Sequence, residues 1–327
     1  MTEYGDISPR TAAYAAVELL KRGMPYLCLE KFGQSKPQPG NKTLSMTFRR
    51  YESLALATTP LQEGVTPSSK KLSATDITMT LQQYGDLIEI TDVIADTHED
   101  PVFQEAQNVT GEQAAKTVET IRYGVVKGCS NKFYANGTAR TDVNTPVTIG
   151  KQRKVTRALK RQNAEMITSH IRSTPNFNTE NVPPGYICIC HTDCETDIRG
   201  LTGFIDVKDY GSLTPYENEV GSVESVRYLI SNLYTSYADG GAAKGAHIST
   251  SGTLADVYPY IYIGRNFYAI SALKGKYAIT PIVINPVPSK SDPLGQRGSV
   301  SWKSYQGAAI LNDLWGAVLE AAVVELS

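Results

Sequence analysis

The feature that most constrains the fold is a long amphipathic stretch that follows an acidic segment. Asp100 is suited to cap a helix, and Pro101 is tolerated at its first position. Apolar residues then recur at roughly helical spacing as far as Gly128, which predicts a helix over residues 101–127. At ~1.5 Å per residue this helix is ~40 Å long, which is unusual for an ordinary globular domain. Its predicted inner face consists of Phe103, Ala106, Val109, Ala114, Val118, Ile121 and Val125.

Two runs of alternating apolar and polar residues precede the long helix. Alternation of this kind predicts strands with one buried face. A connection rich in Ser, Thr and Pro separates the two runs, and a loop of that length within a compact domain is usually functional. The sequence therefore predicts a projecting arm of two strands joined by a long polar tip. The apolar positions are Leu44, Met46 and Phe48 in the first strand and Ile77, Met79 and Leu81 in the second.

The other elements are predicted from shorter patterns. The apolar positions change parity between Leu81 and Ile88, so we expect a β-bulge at Gly85-Asp86. The apolar tail from Val300 to Val324 fits strands or a helix by periodicity alone. The remaining elements are a helix from Ser8 to Gly23 with Tyr14, Val17 and Leu20 on one face, an unpacked arm over residues 31–42, an amphipathic helix from Arg153 to Arg172, the strand YICIC at 186–190 leading into a short helix, strands at 225–230 and 258–263, and a loop over 289–298.

The stretch YICICHTDCETDIRG, residues 186–200, holds three of the five cysteines. Cys188 and Cys190 lie two apart in a predicted strand, so both side chains point to the same face. His191 and Cys194 follow closely, but the second pair of ligands that a structural zinc site usually draws from further along the chain is missing. A nucleophilic thiol needs a base and an orienting group. We therefore expect inert cysteines in a core strand, with a metal site and a thiol nucleophile as alternatives.

Two charged segments also allow a functional or a structural interpretation. The acidic run DVIADTHEDP could bind a divalent cation, but carboxylates before a helix also stabilise its N-terminal dipole, and we favour the second role. The basic helix KQRKVTRALKRQN presents a possible electrostatic surface at Arg153, Lys154 and Arg157. That surface could contact the phosphate groups of packaged nucleic acid, pair with acidic residues of a neighbour or stay solvated. It has no interleaved aromatic residues that would stack on bases. Asp193 is expected to cap the short helix that begins at Cys194.

The bulk properties exclude several classes of protein. Lys and Arg number 32 and Asp and Glu 33, so a net charge of -1 creates no global attraction to nucleic acid or to an anionic membrane. No secretory signal and no apolar run long enough to span a bilayer are present. The odd cysteine count fits a reducing compartment. A glycine-rich phosphate loop, a helical His-Glu-x-x-His motif and a nucleophile elbow are all missing, so the sequence favours a structural or binding role without a cofactor.

The order of the predicted parts resembles that of tailed-bacteriophage major capsid proteins with the HK97-type capsid fold. The resemblance extends to several stretches of the family related to the podovirus N4. These stretches are YGDISPRTAAYA, FRRYE, TPLQEGVTP, QQYGDLIEITDVIADTHEDPV, VTRALKRQNA and SDPLGQRGSVSWK. They span almost the whole chain in the expected order, although none is a chemical motif. The position of Cys194, where we associate an aliphatic residue with the family, departs from its pattern and argues further against a shared metal site.

The resemblance implies an α+β fold with five parts. These are an N-terminal helix and arm (1–42), an extended β-hairpin loop (43–82), a peripheral domain with the spine helix (83–145), an axial domain (146–290), and C-terminal strands that return to the peripheral domain (291–327). It also implies that the apolar tail is mostly strand. The family supplies no catalytic residues.

The function that the resemblance implies is association. The chain is expected to build the icosahedral shell of a tailed bacteriophage as hexamers and pentamers, to be made in the bacterial cytoplasm and to reside in the virion. A scaffolding protein, a portal and decoration proteins are expected partners, with non-specific proximity to packaged DNA and no membrane contact. The alternatives are a shell of the encapsulin type and, from another class, a cytosolic thiol or metal enzyme.

The extended loop is the expected site of contact between subunits. An isolated two-stranded hairpin is marginal in water, so its apolar face needs cover, which an arm reaching beyond its own domain finds on a neighbour. Charged groups at the base and the tip suit ion pairs that set register across this contact. The predicted contact residues are Arg49, Arg50, Tyr51, Glu63, Lys70 and Lys71.

Overall fold

The computed structural model describes residues 26–38, 43–93, 102–172, 178–211, 214–272, 279–286, 288 and 293–326. Within these ranges the α-helices are Val102–Lys127 (α1), Ile149–Arg161 (α2) and Glu195–Arg199 (α3). The strands are, in chain order, Gln34–Ser35 (β1), Ser45–Tyr51 (β2), Ala74–Thr80 (β3), Gln82–Thr91 (β4), Lys132–Tyr134 (β5), Ile167–Arg172 (β6), Asn178–Cys190 (β7), Phe204–Asp206 (β8), Glu219–Val223 (β9), Val226–Ile230 (β10), Tyr258–Ile263 (β11), Tyr268–Ala272 (β12), Thr280–Ile284 (β13), Arg297–Ile310 (β14) and Gly316–Ala321 (β15). The architecture is α+β, with strands dominating.

The described strands form two sheets and a separate hairpin. The larger sheet has the order β5-β15-β11-β7-β10-β9-β8, and β6 adds to β7 outside this path. The smaller sheet has the order β1-β12-β14-β13, with β4 paired along β14. Strands β2 and β3 pair with each other as an antiparallel hairpin. The tail thus consists of strands, as the resemblance implied, and it joins both sheets because β14 lies in the smaller one and β15 in the larger.

The long helix α1 confirms the length predicted from the sequence. It has 26 residues, which at ~1.5 Å per residue gives ~39 Å, and it packs across β14. Its rotational setting differs from the prediction. Ala114 and Val118 are buried, but Val109 is 52% exposed, and the buried face includes Glu119 and Arg122. No helix in the described part of the chain is both long enough and apolar enough to cross a membrane.

The hairpin forms in the predicted register, with Met46 opposite Met79 and Phe48 opposite Ile77. The prediction that its apolar face must find cover on a neighbour is wrong at its base. Met46, Met79 and Leu81 are buried within the same chain, and Leu81 lies beside Gly307 of β14. A Cβ at Gly307 would stand 3.0 Å from the Leu81 side chain, so the glycine permits this close approach.

The predicted β-bulge at Gly85-Asp86 is wrong. Strand β4 pairs with β14 without a shift in register, from Gln82 opposite Gln306 to Thr91 opposite Arg297. The parity of the apolar residues changes at Leu81 instead, because the chain there leaves its pairing with β2 and begins a new pairing with β14. The alternating pattern of residues 77–90 thus belongs to two consecutive strands, β3 and β4, which have different partners.

The second helix is shorter than the predicted range of 153–172. α2 ends at Arg161, and Asn163 adopts a positive φ of 52°, which reverses the chain after the helix. Residues 167–172 form β6, paired with β7. Gln162, which follows the last residue of α2, is exposed. The start of the helix is capped by Thr148, whose side chain accepts a hydrogen bond from the Lys151 backbone N–H.

The strand YICIC is confirmed as the end of β7, and it separates two hydrophobic clusters. Tyr186, Cys188 and Cys190 face one cluster, and Ile187 and Ile189 face the other. The flanking strands fix this alternation, since β10 pairs with β7 in parallel and β11 in antiparallel orientation. The predicted strands at 225–230 and 258–263 are these two neighbours. The alternation of side chains across a central strand therefore fills both layers of the core.

Several predictions fall at the edge of the described residues or beyond it. Residues 34–38, expected to be an unpacked arm, form an edge of the smaller sheet, where Lys36 and Gln38 donate backbone hydrogen bonds to β12. The predicted helix from Ser8 to Gly23, the cap at Asp100 and most of the acidic run lie outside the described residues, as does part of the loop at 289–298.

Candidate assembly surfaces

The connection between β2 and β3 forms an extended loop without regular secondary structure. Every residue from 51 to 74 is exposed. Its neck is held by Glu52, which accepts hydrogen bonds from Ser73 Oγ at 3.1 Å and Thr75 Oγ1 at 2.9 Å. Beyond the neck, Lys70 Nζ donates to the Ala55 carbonyl at 2.9 Å, and both of these groups belong to the loop itself. The described residues therefore fix the root of the loop on the subunit and leave its surface open.

The extended loop exposes five aliphatic side chains to solvent, which is unfavourable for an isolated subunit. Each is between 55% and 86% exposed. Burial of one such side chain stabilises a contact by ~1.5–3 kcal/mol before the costs of association. Exposed apolar side chains concentrated on one segment are typical of a surface that binds another molecule. The residues are Leu54, Leu56, Leu61, Val65 and Leu72.

The arginines predicted to pair with a neighbour already have partners in the same chain. Arg49 donates two hydrogen bonds to the Asp76 carboxylate, at 2.8 and 2.9 Å, directly across the hairpin. This contact raises the pKa of Arg49 and lowers the pKa of Asp76. Arg50 Nη1 donates to the Leu311 carbonyl at 3.2 Å. Both arginines therefore orient the root of the loop rather than its tip.

The other predicted contact residues lie on the exposed part of the loop. Tyr51 is exposed at the end of β2, and Glu63 and Lys71 are exposed beyond the neck. Lys70 is exposed as well, although its side chain is tied to the Ala55 carbonyl. The structure thus brings Arg49, Arg50 and Tyr51 together at the root and spreads the remaining three residues along the loop.

The basic surface of α2 is exposed but not uniformly free. Arg153 donates to Glu224 Oε1 at 2.6 and 2.8 Å, and this partner raises the pKa of Arg153. Lys154 Nζ lies 5.9 Å from the centroid of the Phe133 ring. Arg157 is exposed. The predicted surface therefore exists, with one of its three charges neutralised by an exposed ion pair that contributes little to stability.

The cysteines of residues 186–200 are all buried. Cys188, Cys190 and Cys194 are inaccessible to solvent, and Cys190 Sγ donates weakly to the Leu229 carbonyl at 3.8 Å. Burial raises the pKa of Cys190 and of Cys194 well above the ordinary value for a thiol. Protonated, buried thiols are poor nucleophiles and poor metal ligands. Among the described residues, no three His, Cys, Asp or Glu side chains are grouped so as to hold a metal ion.

The predicted cap of the short helix is wrong. His191, not Asp193, caps the turn that precedes α3, since its Nδ1 accepts a hydrogen bond from the Asp193 backbone N–H at 3.1 Å. The Asp193 carboxylate instead accepts a hydrogen bond from Tyr258 Oη at 2.8 Å. The histidine that would have served a metal or thiol site therefore has a structural role.

We expect the cysteine cluster to be chemically inert. Changing Cys190 and Cys194 together to Ala should leave assembly intact and bound metal at background, because neither thiol reaches solvent. The measurement is elemental analysis of the purified wild type and double variant, with imaging of the particles. Stoichiometric zinc in the wild type that disappears in the variant would refute this prediction.

The structure adds buried charges that the sequence patterns did not reveal. Glu119 of α1 is inaccessible, and its Oε1 accepts hydrogen bonds from the Leu29 backbone N–H at 3.0 Å and Tyr234 Oη at 2.7 Å. Its Oε2 has no hydrogen-bond partner in the described chain. Burial raises the pKa of Glu119, against the opposing effects of these hydrogen bonds and of Arg122. A polar residue on a helical stripe gives no sequence signal that distinguishes a buried site from an exposed one.

Glu119 should make the stability of the subunit depend on pH. A carboxyl whose pKa is raised by folding stabilises the protein in its protonated form, and this contribution is lost as pH rises through the folded pKa. Glu119→Gln should therefore exceed the wild type at pH 8 by ~1 kcal/mol or more in unfolding free energy, and the difference should shrink towards pH 5. Urea unfolding of unassembled protein at both pH values measures it, with the exposed Glu89→Gln as control. A difference in unfolding free energy between Glu119→Gln and the wild type that does not change with pH would contradict this account.

Comparison with known proteins gives a consistent result. A model of the phage capsid protein family matches residues 74–320, about three quarters of the chain. Three similar structures are the capsid of Ralstonia phage GP4 (10% identity, TM-score 0.66, 90% of this chain and 88% of that one), the cyanophage Pam1 capsid (12%, 0.63, 92% of both chains) and the capsid of cyanophage P-SCSP1u (13%, 0.59, 91% and 88%). These likenesses establish the HK97-type fold. No curated protein matches the chain.

Proposed function

Because this chain belongs to the phage capsid protein family, it is a structural protein of the virion that associates with copies of itself, and we propose that it does so as hexamers and pentamers joined through the extended loop. The N4-like grouping within the family stays a prediction. The observation that carries the proposal is the aliphatic surface of residues 54–72, which the described chain holds on a projecting loop and does not cover.

The extended loop suits a contact between unlike surfaces of adjacent subunits. Arg49 joins the two strands of the hairpin through Asp76, and Arg50 fixes the root to the Leu311 carbonyl of the body, so the direction of the loop is set before association. Its aliphatic side chains supply the area to be buried, and Glu63, Lys70 and Lys71 supply charges that select the partner surface. Contacts of this head-to-tail type close into rings when the rotation between subunits permits it.

The division into domains is also a proposal. We assign residues 1–42 to the N-terminal helix and arm, 43–82 to the extended loop, 83–145 and 291–327 to the peripheral domain, and 146–290 to the axial domain. The pairing of β4 with β14 supports a shared unit of residues 82–91 and 297–310. Strand β15 lies in the larger sheet beside β5 and β11, so the two domains share that sheet.

We propose that a scaffolding protein, a portal and decoration proteins act with this chain. Identical subunits joined by head-to-tail contacts can close with more than one curvature. A separate scaffold would select one curvature, a portal would replace one pentamer, and decoration proteins would add to the outer surface.

Contact with the packaged genome is expected to be electrostatic and independent of sequence. Changing Arg153, Lys154 and Arg157 to Gln should alter packaging or salt tolerance modestly, because only part of this surface is free of partners. Filter binding of several DNA sequences at increasing salt measures the effect, with Lys208→Gln as a control at another exposed position. A strong preference of the wild type for one DNA sequence at physiological salt would refute this prediction.

Imaging of the purified protein tests the proposed assembly. Negative-stain electron microscopy should give rings with sixfold and fivefold symmetry or closed particles built from them. A protein that stays monomeric at every concentration and salt condition, with no rings in any class average, would refute the proposed capsomers.

A further inference from the structure

Three cations surround one buried carboxylate at the β5 edge of the larger sheet. Glu320 of β15 is inaccessible to solvent. Arg140 donates two hydrogen bonds to its carboxylate, both at 2.7 Å, and Lys132 Nζ lies 4.0 Å from Glu320 Oε1. Lys127 Nζ and the Arg140 guanidinium lie 3.8 and 3.4 Å from the centroid of the same ring, that of Tyr237. Each lysine is therefore within one Debye length of the arginine, ~8 Å at physiological salt, so solvent screens their repulsion only in part.

The positive charges of this group exceed the negative ones. Among the described residues, Glu320 is the one carboxylate that contacts these three cations. Lys127 Nζ donates a hydrogen bond to the Thr235 carbonyl at 2.8 Å, which leaves its charge uncompensated. Partial burial and the nearby Arg140 lower the pKa of Lys127, against the opposing effect of Glu320. Like charges held together in this way are unfavourable in the isolated subunit, and a bound anion would relieve them.

Arg140 is held rigidly, yet part of its guanidinium is available. Its Nε and Nη2 bond to Glu320, its Cζ lies over the Tyr237 ring, and a Cβ at Gly240 would stand 3.2 Å from its Cδ. Arg140 Nη1 and Lys132 Nζ make no hydrogen bond within the described chain, and the two side chains are 30% and 31% exposed. A fixed arginine beside a lysine with free N–H groups suits a ligand that has several acceptor oxygens.

We propose that Arg140, Lys132 and Lys127 form a binding site for a phosphate group, either a free phosphate ion or a phosphate of the DNA backbone. A phosphate offers at least two unesterified oxygens as acceptors, and a phosphate monoester carries ~1.5–2 negative charges at neutral pH, close to the surplus of two positive charges. A carboxylate carries one charge and would leave part of that surplus. Because Arg140 and Lys127 already cover the Tyr237 ring, no base stacks on it, and recognition is of phosphate alone.

Lysine acetylation of the full-length wild type tests the site without any substitution. Inorganic phosphate at about four times its dissociation constant should slow the modification of Lys127 and Lys132 on the order of fivefold at constant ionic strength, because bound phosphate covers their amino groups. Lys208, whose side chain is 76% exposed, should react at an unchanged rate. Mass spectrometry of the peptides measures each rate. Duplex DNA in place of phosphate identifies the source: protection at a lower phosphate concentration assigns the site to the DNA backbone, and protection by the free ion alone assigns it to phosphate.

Two variants separate binding from general screening of charge. Lys132→Gln removes one donor and retains the pair of Arg140 with Glu320, so phosphate should protect Lys127 several-fold less than in the wild type. Lys208→Gln should leave that protection as it is in the wild type. Equal slowing at Lys127, Lys132 and Lys208, or no slowing by either phosphate or DNA, would overturn the proposal. Acetate that protects as well as phosphate would also overturn it, since the site would then fit a carboxylate.

Discussion

Replacing residues 57–72 with a short Gly-Ser linker is expected to leave a folded subunit that no longer closes shells. The body should survive because every replaced residue is exposed and loop length alone costs little in the monomer. The replaced range stops before Ser73, which bonds to Glu52 at the neck of the loop. The variant loses Leu61, Val65 and Leu72, and with them more than half of the aliphatic side chains proposed to bind a neighbour. Circular dichroism and sedimentation velocity on the same sample measure folding and assembly.

A second variant separates the length of the loop from its composition. A Gly-Ser linker of the same length as residues 57–72 keeps the reach and removes the side chains, so it should also fail to close shells. Closed particles of normal size from the shortened protein would show that the loop is not the arm between subunits. Loss of the folded signal would instead show that the loop belongs to the core of its own subunit.

Arg227→Leu is expected to cost the subunit ~3–5 kcal/mol of unfolding free energy, because it leaves the buried Glu219 carboxylate without its counter-charge. Arg227 donates to both carboxylate oxygens of Glu219 at 2.6 and 2.7 Å, and the Glu219 side chain is inaccessible. The guanidinium also lies 3.9 Å from the centroid of the Tyr216 ring. A loss of this size is a large fraction of the stability of a typical domain. Urea unfolding measures it.

Two controls identify the cause of that loss. Arg153→Gln breaks an exposed ion pair with Glu224 and should change the unfolding free energy little. Adding Glu219→Gln to Arg227→Leu should restore part of the stability, because a neutral amide then replaces the buried carboxylate. If Arg227→Leu costs no more than Arg153→Gln, the buried pair does not stabilise the subunit as described.

The length of α1 and the register of the hairpin could be predicted because each rests on a repeating apolar pattern. Which side of α1 is buried could not be predicted from that pattern. Its buried side includes Glu119 and Arg122, which bond to Leu29, Tyr234, Glu30 and Gln306 from distant parts of the chain. Periodicity counts apolar residues, so it placed Val109 and Ile121 inward and overlooked charges that only the tertiary contacts make tolerable.

The errors at α2 and at β4 have a shared physical cause. Residues 166–171 include apolar positions that fit a continuing helix as well as a strand. The choice depends on pairing with β7, a strand that itself contains Pro183 and Pro184. In the same way, the change of parity at Leu81 reflects a change of partner from β2 to β14, not an extra residue. Local sequence does not specify which distant strand will be the neighbour.

The candidate surfaces were predicted in part. The exposure of the loop followed from its polar composition, but the aliphatic residues scattered along it show no period and were overlooked as a group. The partners of Arg49 and Arg50 within the chain, Asp76 and the Leu311 carbonyl, could not be predicted because the fold sets them. The burial of Cys188 and Cys190 was predicted correctly, since alternation in a central strand is a local property.

Site-specific photo-cross-linking from the loop tests the central claim most directly. A benzophenone amino acid in place of Leu61, which is exposed near the middle of the loop, reports what lies against it in assembled particles. The account predicts cross-links between subunits, visible as covalent dimers, with linked peptides from outside residues 43–82 of the neighbour. Cross-links confined to the same chain in closed particles would contradict it.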